Sequence, residues 1–462
     1  MNPETIPVTP PGARPRIDRL LHVAGVDFHI LVTLLFRGWS VLAGGITALL
    51  IPTFLSPSQQ GYYYTFNAVL ASQIFFELGL NHVLTQLTSH AAAHLRRVGE
   101  GRLDGELRWR IAIVSLLSLS TKWNAVMASL FFVALLIGGG LFFSHKGTLP
   151  TTQWLATWIV IIAAAAMNLA MSARLAICEG LGEVGQVARL RLRQSMAGYA
   201  LLWLLLLSGQ GLLATAAVPL VSVLGTAWWL SRQPLLKDLR EGVASQLAVT
   251  QGGYAYVRDI FPLQWKIALS WASGYFIFNF LTPVVFAQQG EVAAGRLGLA
   301  LTIFSAISTV GISWISAKIP VLATHIARRE RADLNALFDR QALRSVGATT
   351  LCVLLFIASV QMAGQFSPKA LERLPTLPAL LMLATVTVVN ALIFAMAAYM
   401  RAHKEEPLLA QSVITAVLIG CGVYWMAHVS LTATVAAYAG VTLLVALPWC
   451  AIIYIRYRQR TE

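Results

Sequence analysis

Apolar residues dominate this 462-residue chain in runs separated by short polar segments. A run of about 20 apolar residues crosses a hydrocarbon core roughly 30 Å thick as an α-helix. Because the bilayer core offers no partner to a free backbone amide, runs of this kind predict helices rather than loops. The pattern predicts twelve spans, at about 29–55, 62–87, 123–144, 153–174, 195–209, 211–230, 264–287, 295–319, 346–365, 376–400, 408–427 and 431–455.

The fifth and sixth spans are the least separated. The stretch from Met196 to Leu230 is continuous enough for one long helix, but Ser208-Gly209-Gln210-Gly211 is typical of a turn. Arg193 and Arg232 flank the stretch, so both of its ends favour the same side of the membrane. This flanking charge favours a hairpin of two spans.

Basic residues fall almost entirely on one side of this arrangement. Of 34 Lys and Arg residues, 29 lie in the N-terminal segment, the loops after the even-numbered spans and the C-terminal tail, if Lys266 is counted with the loop that precedes its span. The opposite loops hold Lys146, Arg296, Lys369 and Arg373, and Arg37 lies in span 1. This asymmetry predicts that both termini are cytoplasmic. The net charge of +14 therefore encodes topology and forms no single patch that would indicate nucleic-acid binding.

Composition and motifs exclude most other classes. The chain is 57% hydrophobic and 12% charged, whereas average proteins contain roughly 25% charged residues. The four cysteines form no Cys-x-x-Cys pair, and His82, His90 and His94 lack a completing carboxylate or thiol, so no zinc site is indicated. The G-x-G-x-x-G pattern at 180–185 follows a membrane helix rather than a strand, so we interpret it as accidental. We expect no enzyme activity, no cofactor and no metal.

The chain also repeats itself weakly. In each half a proline closes one span, a glycine (Gly61 or Gly295) opens the next, and a hydroxyl–histidine pair with two arginines follows about 30 residues later. A fainter pair matches Asn168 through Gln194-Ser195 with Asn390 through Gln411-Ser412. Parallel repeats of six spans predict two bundles related by an axis along the membrane normal.

The predicted fold class is thus an all-α polytopic membrane protein with about twelve transmembrane helices in two pseudo-symmetric six-helix bundles. Its predicted segments are a cytoplasmic N-terminal segment (1–28), an N-terminal bundle (29–230), a cytoplasmic linker (231–262), a C-terminal bundle (263–455) and a cytoplasmic tail (456–462). The first segment is polar and proline-rich, so we expect an uncleaved anchor rather than a cleaved signal peptide.

Two basic residues inside predicted spans are the first candidates for a functional site. Arg37 lies about eight residues into span 1, roughly 12 Å along a helix, and Lys266 lies near the start of span 7. Charges within a membrane usually face an interior cavity, so this pair suggests a central anion site. The alternatives are an ion pair of Arg37 with Glu77, and snorkelling of Lys266 to the interface.

Several polar and aromatic residues could line the same cavity. Their amides, indole and guanidinium would contact sugar hydroxyls or an elongated polar substrate, although each alone is as readily a helix–helix or interface contact. These residues are Asn67, Asn81, Asn279, Trp271 and Arg296.

At these positions the chain resembles a known group. Gln59–Tyr64, Phe75–Leu80, Gln264–Lys266, Trp271–Phe278 and Trp314–Pro320 resemble one branch of the bacterial polysaccharide transporters, within the multidrug/oligosaccharidyl-lipid/polysaccharide superfamily. The resemblance covers roughly residues 29–455 and agrees with a layout of twelve spans in two bundles. The multidrug branch tends to carry an acidic residue in its first helix, where this chain has Arg37, and murein-precursor flippases usually have two further spans.

The resemblance implies an alternating-access flippase in the bacterial inner membrane. Its substrate would be an anionic lipid-linked oligosaccharide, such as an O-antigen or related precursor on a polyprenyl diphosphate, with a polymerase or glycosyltransferase as a partner. Arg37, Lys266 and Arg296 would attract the diphosphate, and Glu77 would hold Arg37 when substrate is absent or carry a proton. The alternatives are an ion-coupled antiporter for drugs or small metabolites, and a non-transporting subunit of a polysaccharide assembly complex.

Overall fold

The computed structural model of the protein describes residues 28–99, 101–244, 256–366, 371–403 and 407–461. The first half contains α1 (Phe28–Phe54), α2 (Pro57–Leu70), α3 (Ile74–Glu77), α4 (Leu80–Ala92), β1 (Leu95–Val98), β2 (Arg102–Gly105), α5 (Leu107–Ala134), α6 (Gly140–Lys146), α7 (Thr151–Cys178), α8 (Val184–Leu207) and α9 (Ala217–Ser231). Short 3₁₀ or π turns join several of these helices, at Ala71–Gln73, Leu135–Gly139, Glu179–Glu183 and Gly211–Ala216.

The second half follows a short connecting helix, α10 (Pro234–Ala244). It contains α11 (Phe261–Phe278), α12 (Leu281–Gln289), α13 (Glu291–Ser316), α14 (Ile319–Arg328), α15 (Arg331–Phe366), α16 (Leu377–Ala402), α17 (Leu409–Met426), α18 (Leu431–Val441) and α19 (Leu447–Thr461). Here π turns at Tyr256–Ile260 and Thr442–Ala446 lead into α11 and α19.

These helices form twelve membrane crossings in the described residues. Eight continuous helical stretches are long and apolar enough to span, and two more crossings are bent pairs, α2–α3 with α4 at 45° and α11 with α12 at 42°. One of the eight stretches, Thr151–Leu207, consists of two helices, α7 and α8, which meet at a kink at Gly182, whose φ of +91° lies outside the helical region. With α1, the predicted twelve-span helical membrane fold in two bundles is confirmed.

Local sequence signals set the turns between crossings. The Ser56 hydroxyl accepts from Gln59 N at 3.2 Å, and Ser56 N donates to Gln59 Oε1 at 3.1 Å, so a reciprocal capping box starts α2. Pro57 occupies the first helical turn, where its missing N–H costs nothing. The predicted turn at 208–211 separates α8 from α9, with Gly209 and Gly211 at positive φ.

A short β-hairpin lies between α4 and α5 and precedes the third crossing. β1 and β2 pair antiparallel, from Leu95 with Gly105 to Val98 with Arg102, and α5 starts directly after β2 and continues into the membrane. Leu103 anchors this hairpin, because it is buried in one hydrophobic cluster with Ile113 and with Leu235 of α10. The segment predicted as a linker therefore contributes a helix that covers the hairpin.

The internal repeat has a direct structural consequence. Gly61 on α2 and Gly295 on α13, which the repeat aligns, meet where these two helices cross, and a Cβ on Gly295 would lie 2.9 Å from Gly61 N. Equivalent residues can meet only on the axis that relates the two repeats. This crossing therefore marks the pseudo-two-fold axis.

Candidate functional site

The two ends of the molecule differ in charge. We call the end near Arg96, Arg193, Arg232 and Arg458 the basic end. The opposite end, which carries the turns at 55–56, 147–150 and 208–210, is the far end. The two halves meet differently at each end, and this difference defines the site.

The far end is sealed by close packing between the halves. A Cβ on Gly61 would overlap the backbone carbonyl of Glu291, and a Cβ on Gly298 would overlap the side chain of Tyr64, so α2 and α13 approach as closely as glycine allows. The Gln60 amide, which is buried, donates to Gly295 O at 2.9 Å and accepts from Arg373 at 3.3 Å. We call this contact of α2 with α13 the far-end seal.

An aromatic cluster supports the far-end seal. Tyr62 of α2 contacts Phe286 of α12 edge-on, with ring centroids 5.1 Å apart, and Phe143 of α6 contacts the same Phe286 at 5.5 Å. All three rings are fully buried. Because buried aromatic pairs prefer such edge-to-face geometry, they hold the two halves together beside the glycine crossing.

A central cavity of about 810 Å³ lies between the halves, on the basic side of the seal. It begins beneath Tyr64 and Gly298 and extends to Arg401 at the end of α16. Helices α1, α2, α8, α11–α13 and α16–α18 all contribute to its lining. The volume lies in the range of roughly 300–1,000 Å³ typical of small-molecule sites.

The cavity wall is polar but nearly uncharged. Among the described residues that line it, Arg401 is the only Lys, Arg, Asp or Glu. The other polar groups are hydroxyls, amides and phenols: Ser40, Tyr64, Asn67, Tyr199, Ser270, Asn279, Thr282, Thr302, Ser305, Ser308, Thr309, Thr387, Asn390, Gln411, Ser412, Thr415, Tyr438 and Thr442. Such a wall suits a neutral or anionic polar ligand better than a cation.

The hydroxyls of α13 are already used as donors. Thr302 Oγ1 donates to Gly298 O at 2.8 Å and Thr309 Oγ1 donates to Ser305 O at 2.9 Å, each one turn back on its own helix. Each of these oxygens can still accept a hydrogen bond. This part of the wall is therefore predisposed to accept hydrogen bonds from a ligand that donates them, such as a sugar.

Two of the predicted site residues lie together on this wall. Asn67 of α2 and Asn279, at the bend between α11 and α12, both line the central cavity. Asn67 Nδ2 donates to Tyr63 O at 2.8 Å, which leaves its carbonyl oxygen to accept from a ligand. Asn279 lies where regular helix is interrupted between α11 and α12, which are bent by 42° relative to each other.

Glu77 and Asn81 lie elsewhere, inside the N-terminal half. Asn81 Nδ2 donates to Glu77 Oε1 at 2.8 Å, and Ser172 Oγ of α7 donates to Asn81 Oδ1 at 3.4 Å. Asn124 of α5 extends the chain by donating to Ser172 Oγ at 3.1 Å. Arg191 of α8 acts electrostatically on Glu77 while it pairs with Glu179 at 2.9 Å.

The remaining predicted residues lie at other places. Lys266 and Trp271 are exposed on α11, with Lys266 Nζ 5.8 Å from the centre of the Trp265 ring. Arg296 lies at the far end, where its Nε donates to Glu372 O at 2.8 Å. Arg37 belongs to α1, but its side chain lies outside the described residues, so its pairing with Glu77 stays a prediction.

Sequence reasoning missed most of the cavity wall. Thr302, Ser305 and Thr309 recur at three- and four-residue spacing along an otherwise apolar helix, and this spacing puts them on one helical face. This row of hydroxyl residues could have been recognised in the sequence as a polar face of the helix. Arg401 lies just beyond the last apolar residue of its predicted span, so the sequence assigns it to a loop.

Comparison with protein-family models and with curated protein sequences gives no match. Comparison with solved structures does. An inward-facing multidrug resistance MATE family transporter of the MOP superfamily aligns with a TM-score of 0.63 at 16% identity, over 92% of this chain and 96% of that one. The chain has the fold of the MATE transporters.

Two further structures agree with this fold. An outward-facing conformation of a multidrug resistance MATE family transporter of the MOP superfamily aligns with a TM-score of 0.50 at 16% identity, over 94% and 98% of the two chains. A MOP superfamily transporter from Pyrococcus furiosus gives 0.52 at 17% identity, over 94% and 92%. The similarity to these structures agrees with the fold expected from the sequence.

Proposed function

We propose that this protein is an alternating-access flippase for an anionic lipid-linked oligosaccharide in the bacterial inner membrane. The observation that carries the proposal is the central cavity, whose described wall combines hydroxyls, amides and phenols with one cation and no carboxylate. A wall rich in hydrogen-bond acceptors can bind sugar hydroxyls. A cationic drug would have no carboxylate to pair with among the described lining residues.

The conformation fits one state of such a cycle. The described contacts between α2 and α13 seal the far end, and the cavity extends toward the basic end. If the basic end is cytoplasmic, as the distribution of Lys and Arg predicts, this is an inward-open state. Export then requires the far-end seal to part, which breaks the Gln60–Gly295 and Gln60–Arg373 hydrogen bonds.

Charge would position the carrier diphosphate near the basic end. Arg401 lies at the cavity mouth, and Arg37 and Lys266 lie in the helices that begin each half. Arginine suits a forked phosphate contact and lysine a point charge. The polyprenyl chain would stay in the lipid while the sugars enter the cavity, and a polymerase or glycosyltransferase is the partner class on this proposal.

The test is reconstitution with a fluorescent lipid-linked oligosaccharide and measurement of its movement between leaflets. Arg37→Ala, Lys266→Ala and Arg401→Gln should each weaken transport about tenfold to a hundredfold, because a charge-assisted contact to phosphate contributes about 1.5–3 kcal/mol. Arg344→Gln, at an exposed position of α15 outside the central cavity, is the matched control and should transport normally.

Two outcomes would overturn the proposal. Unchanged movement in all three variants, Arg37→Ala, Lys266→Ala and Arg401→Gln, would remove the cation site from the mechanism. Export of a cationic drug against an ion gradient, with no movement of the lipid-linked sugar, would instead favour the ion-coupled antiporter. For the Pyrococcus furiosus transporter, a reverse polarity of the binding pocket suggests a different function. This precedent supports the use of pocket charge to choose between substrate classes.

A further inference from the structure

A second cavity, of about 560 Å³, is lined entirely by α8 and α9. It shares no lining residue with the central cavity. Its wall includes two arginines, two glutamines and two tryptophans, and no Asp or Glu. We call it the α8–α9 groove.

Helical geometry places the groove on the outside of the molecule. Arg189, Arg193 and Ala197 follow one another at four-residue spacing and therefore lie on one face of α8. Ser195 accepts a hydrogen bond from Trp39 of α1, and Tyr199 lines the central cavity, so these two residues mark a different face, turned toward α1 and the cavity. The groove faces away from the transport pathway.

The groove is charged at one end and apolar at the other. Gln186, Arg189 and Arg193 lie within the first turns of α8, at the basic end, and Trp228 and Trp229 lie in the last turn of α9. Toward the membrane interior the lining changes to Ala197, Val221 and Leu224. Leu224 is 65% exposed and Trp228 is 54% exposed, so the apolar rim faces the lipid.

Arginines line the basic-end half of the groove, and Arg189 Nε donates to Gly185 O at 3.2 Å. The nearby carboxylates are engaged by arginines outside the groove, since Glu179 pairs with Arg191 at 2.9 Å and Glu183 pairs with Arg97 at 2.5 Å. Beside the groove, the Arg232 guanidinium lies 4.5 Å from the Trp228 ring centre. Tryptophan side chains are enriched at the membrane–water interface, and arginines there attract anionic lipid headgroups.

We propose that the α8–α9 groove binds an anionic phospholipid of the surrounding bilayer. Arg189 and Arg193 would hold the phosphate, and an acyl chain would cover Ala197, Val221 and Leu224. A soluble phosphate would leave this apolar half uncovered, which is why a membrane lipid is the chosen occupant. The inference does not depend on the transported substrate.

The test uses quenching of tryptophan fluorescence by brominated lipids. The full-length protein is placed in phosphatidylcholine vesicles that contain a small fraction of dibrominated phosphatidylglycerol or, for comparison, dibrominated phosphatidylcholine. Phosphatidylglycerol should quench more strongly at equal fraction, and Trp228→Phe should remove part of this difference.

Three variants separate the groove from general attraction to the basic end. Arg189→Gln with Arg193→Gln should weaken phosphatidylglycerol binding on the order of 30-fold, since each basic residue near an anionic surface adds about fivefold. Ala197→Phe, which fills the apolar half and leaves both charges, should also abolish selective binding. Arg340→Gln with Arg344→Gln, a pair with the same spacing on exposed α15, should bind normally.

Several outcomes would overturn the proposal. Equal quenching by the two brominated lipids, or equal loss of binding in the α15 control, would leave only nonspecific attraction. Displacement of the lipid by millimolar inorganic phosphate would indicate a soluble-anion site. Displacement by a polyprenyl diphosphate at far lower concentration than by phosphatidylglycerol would make the groove an entry site for the carrier lipid.

Discussion

In each half of the molecule, an asparagine on the fourth crossing and a glutamine on the fifth bond to the sixth crossing. In the first half, Gln194 Nε2 donates to Ser222 O at 2.9 Å and to Thr226 Oγ1 at 3.0 Å. Ser222 Oγ donates to Asn168 Oδ1 at 3.2 Å. In this half the glutamine side chain fills the space beside Gly225, where a Cβ would lie 2.8 Å from it.

The second half repeats the pattern, with longer bonds from its glutamine. Gln411 Nε2 donates to Ala446 O at 3.3 Å, and Asn390 Nδ2 donates to the Tyr438 hydroxyl at 3.4 Å. All four of these residues line the central cavity. The repeat thus preserves a hydrogen-bonded scaffold, while packing decides which of the two networks lines the central cavity.

The two halves also differ in the position of a carboxylate relative to the central cavity. The first half holds Glu77 in a network with Asn81, Ser172 and Asn124, away from the central cavity. The described cavity lining from the second half carries no carboxylate. A carboxylate kept inside the first half, away from the cavity between the halves, would allow coupling without putting a negative charge beside an anionic substrate.

The largest expected effect comes from separating the halves where they meet. Gly61→Val should disrupt the far-end seal, because even a Cβ would overlap the carbonyl of Glu291, and overpacking of this kind costs about 1–3 kcal/mol or more. Distances between spin labels on α2 and α13 should lengthen, and transport should be lost. Gly347→Ala is the control, because a Cβ at Gly347 meets nothing within 4 Å. Unchanged distances between the spin labels in Gly61→Val would contradict the far-end seal.

Replacing the carboxylate of the first half tests the proposed division of roles. Glu77→Gln keeps an acceptor for Asn81 and should change stability by less than about 0.5 kcal/mol, while transport loses its dependence on an ion gradient. Glu77→Leu removes the acceptor and should destabilise by about 1–3 kcal/mol. Measurements are thermal unfolding in detergent and transport with and without a pH gradient. Full gradient dependence in Glu77→Gln would exclude it as the coupling group.

The two glutamines should respond in opposite ways. Gln194→Leu should lower the unfolding free energy by about 0.6–1.7 kcal/mol, the range for hydrogen bonds between membrane helices, and leave transport nearly unchanged. Gln411→Leu, with longer bonds and a place on the cavity wall, should affect transport more than stability. Thermal unfolding and oligosaccharide transport of the two variants are compared directly. Equal effects in both assays would remove the distinction between the halves.

The smallest effect is expected at an exposed ion pair of the second half. Arg458 contacts Asp339 through two hydrogen bonds of 3.0 Å, joining α19 to α15 at the basic end. Because the Asp339 side chain is 55% exposed, Asp339→Asn should cost no more than about 1 kcal/mol. Urea or thermal unfolding measures the change. A loss of several kcal/mol would mean that this contact contributes more than ordinary surface pairing.

Local patterns predicted much of the architecture but only part of the site. The twelve spans and the turn at 208–211 follow from the lengths of apolar runs and from glycine positions. Glu77 and Asn81 lie on opposite sides of the bend between α3 and α4, so their contact does not follow from regular helical spacing alone. That this pair lies inside one half, rather than on the central cavity with Asn67, depends on which neighbours α4 meets, and spacing within one helix cannot specify that.

The sequence by itself determined the membrane-spanning helices, the two repeated halves and the distribution of charge between the two ends. Apolar run length and loop charge act locally along the chain, so these features are readable without a fold. Only the tertiary structure decided that Gly61 meets Gly295 at the seal, that Leu103 closes a hairpin against α10, and that the central cavity has one described cation. These depend on side chains more than a hundred residues apart coming into contact, and no single segment encodes that contact.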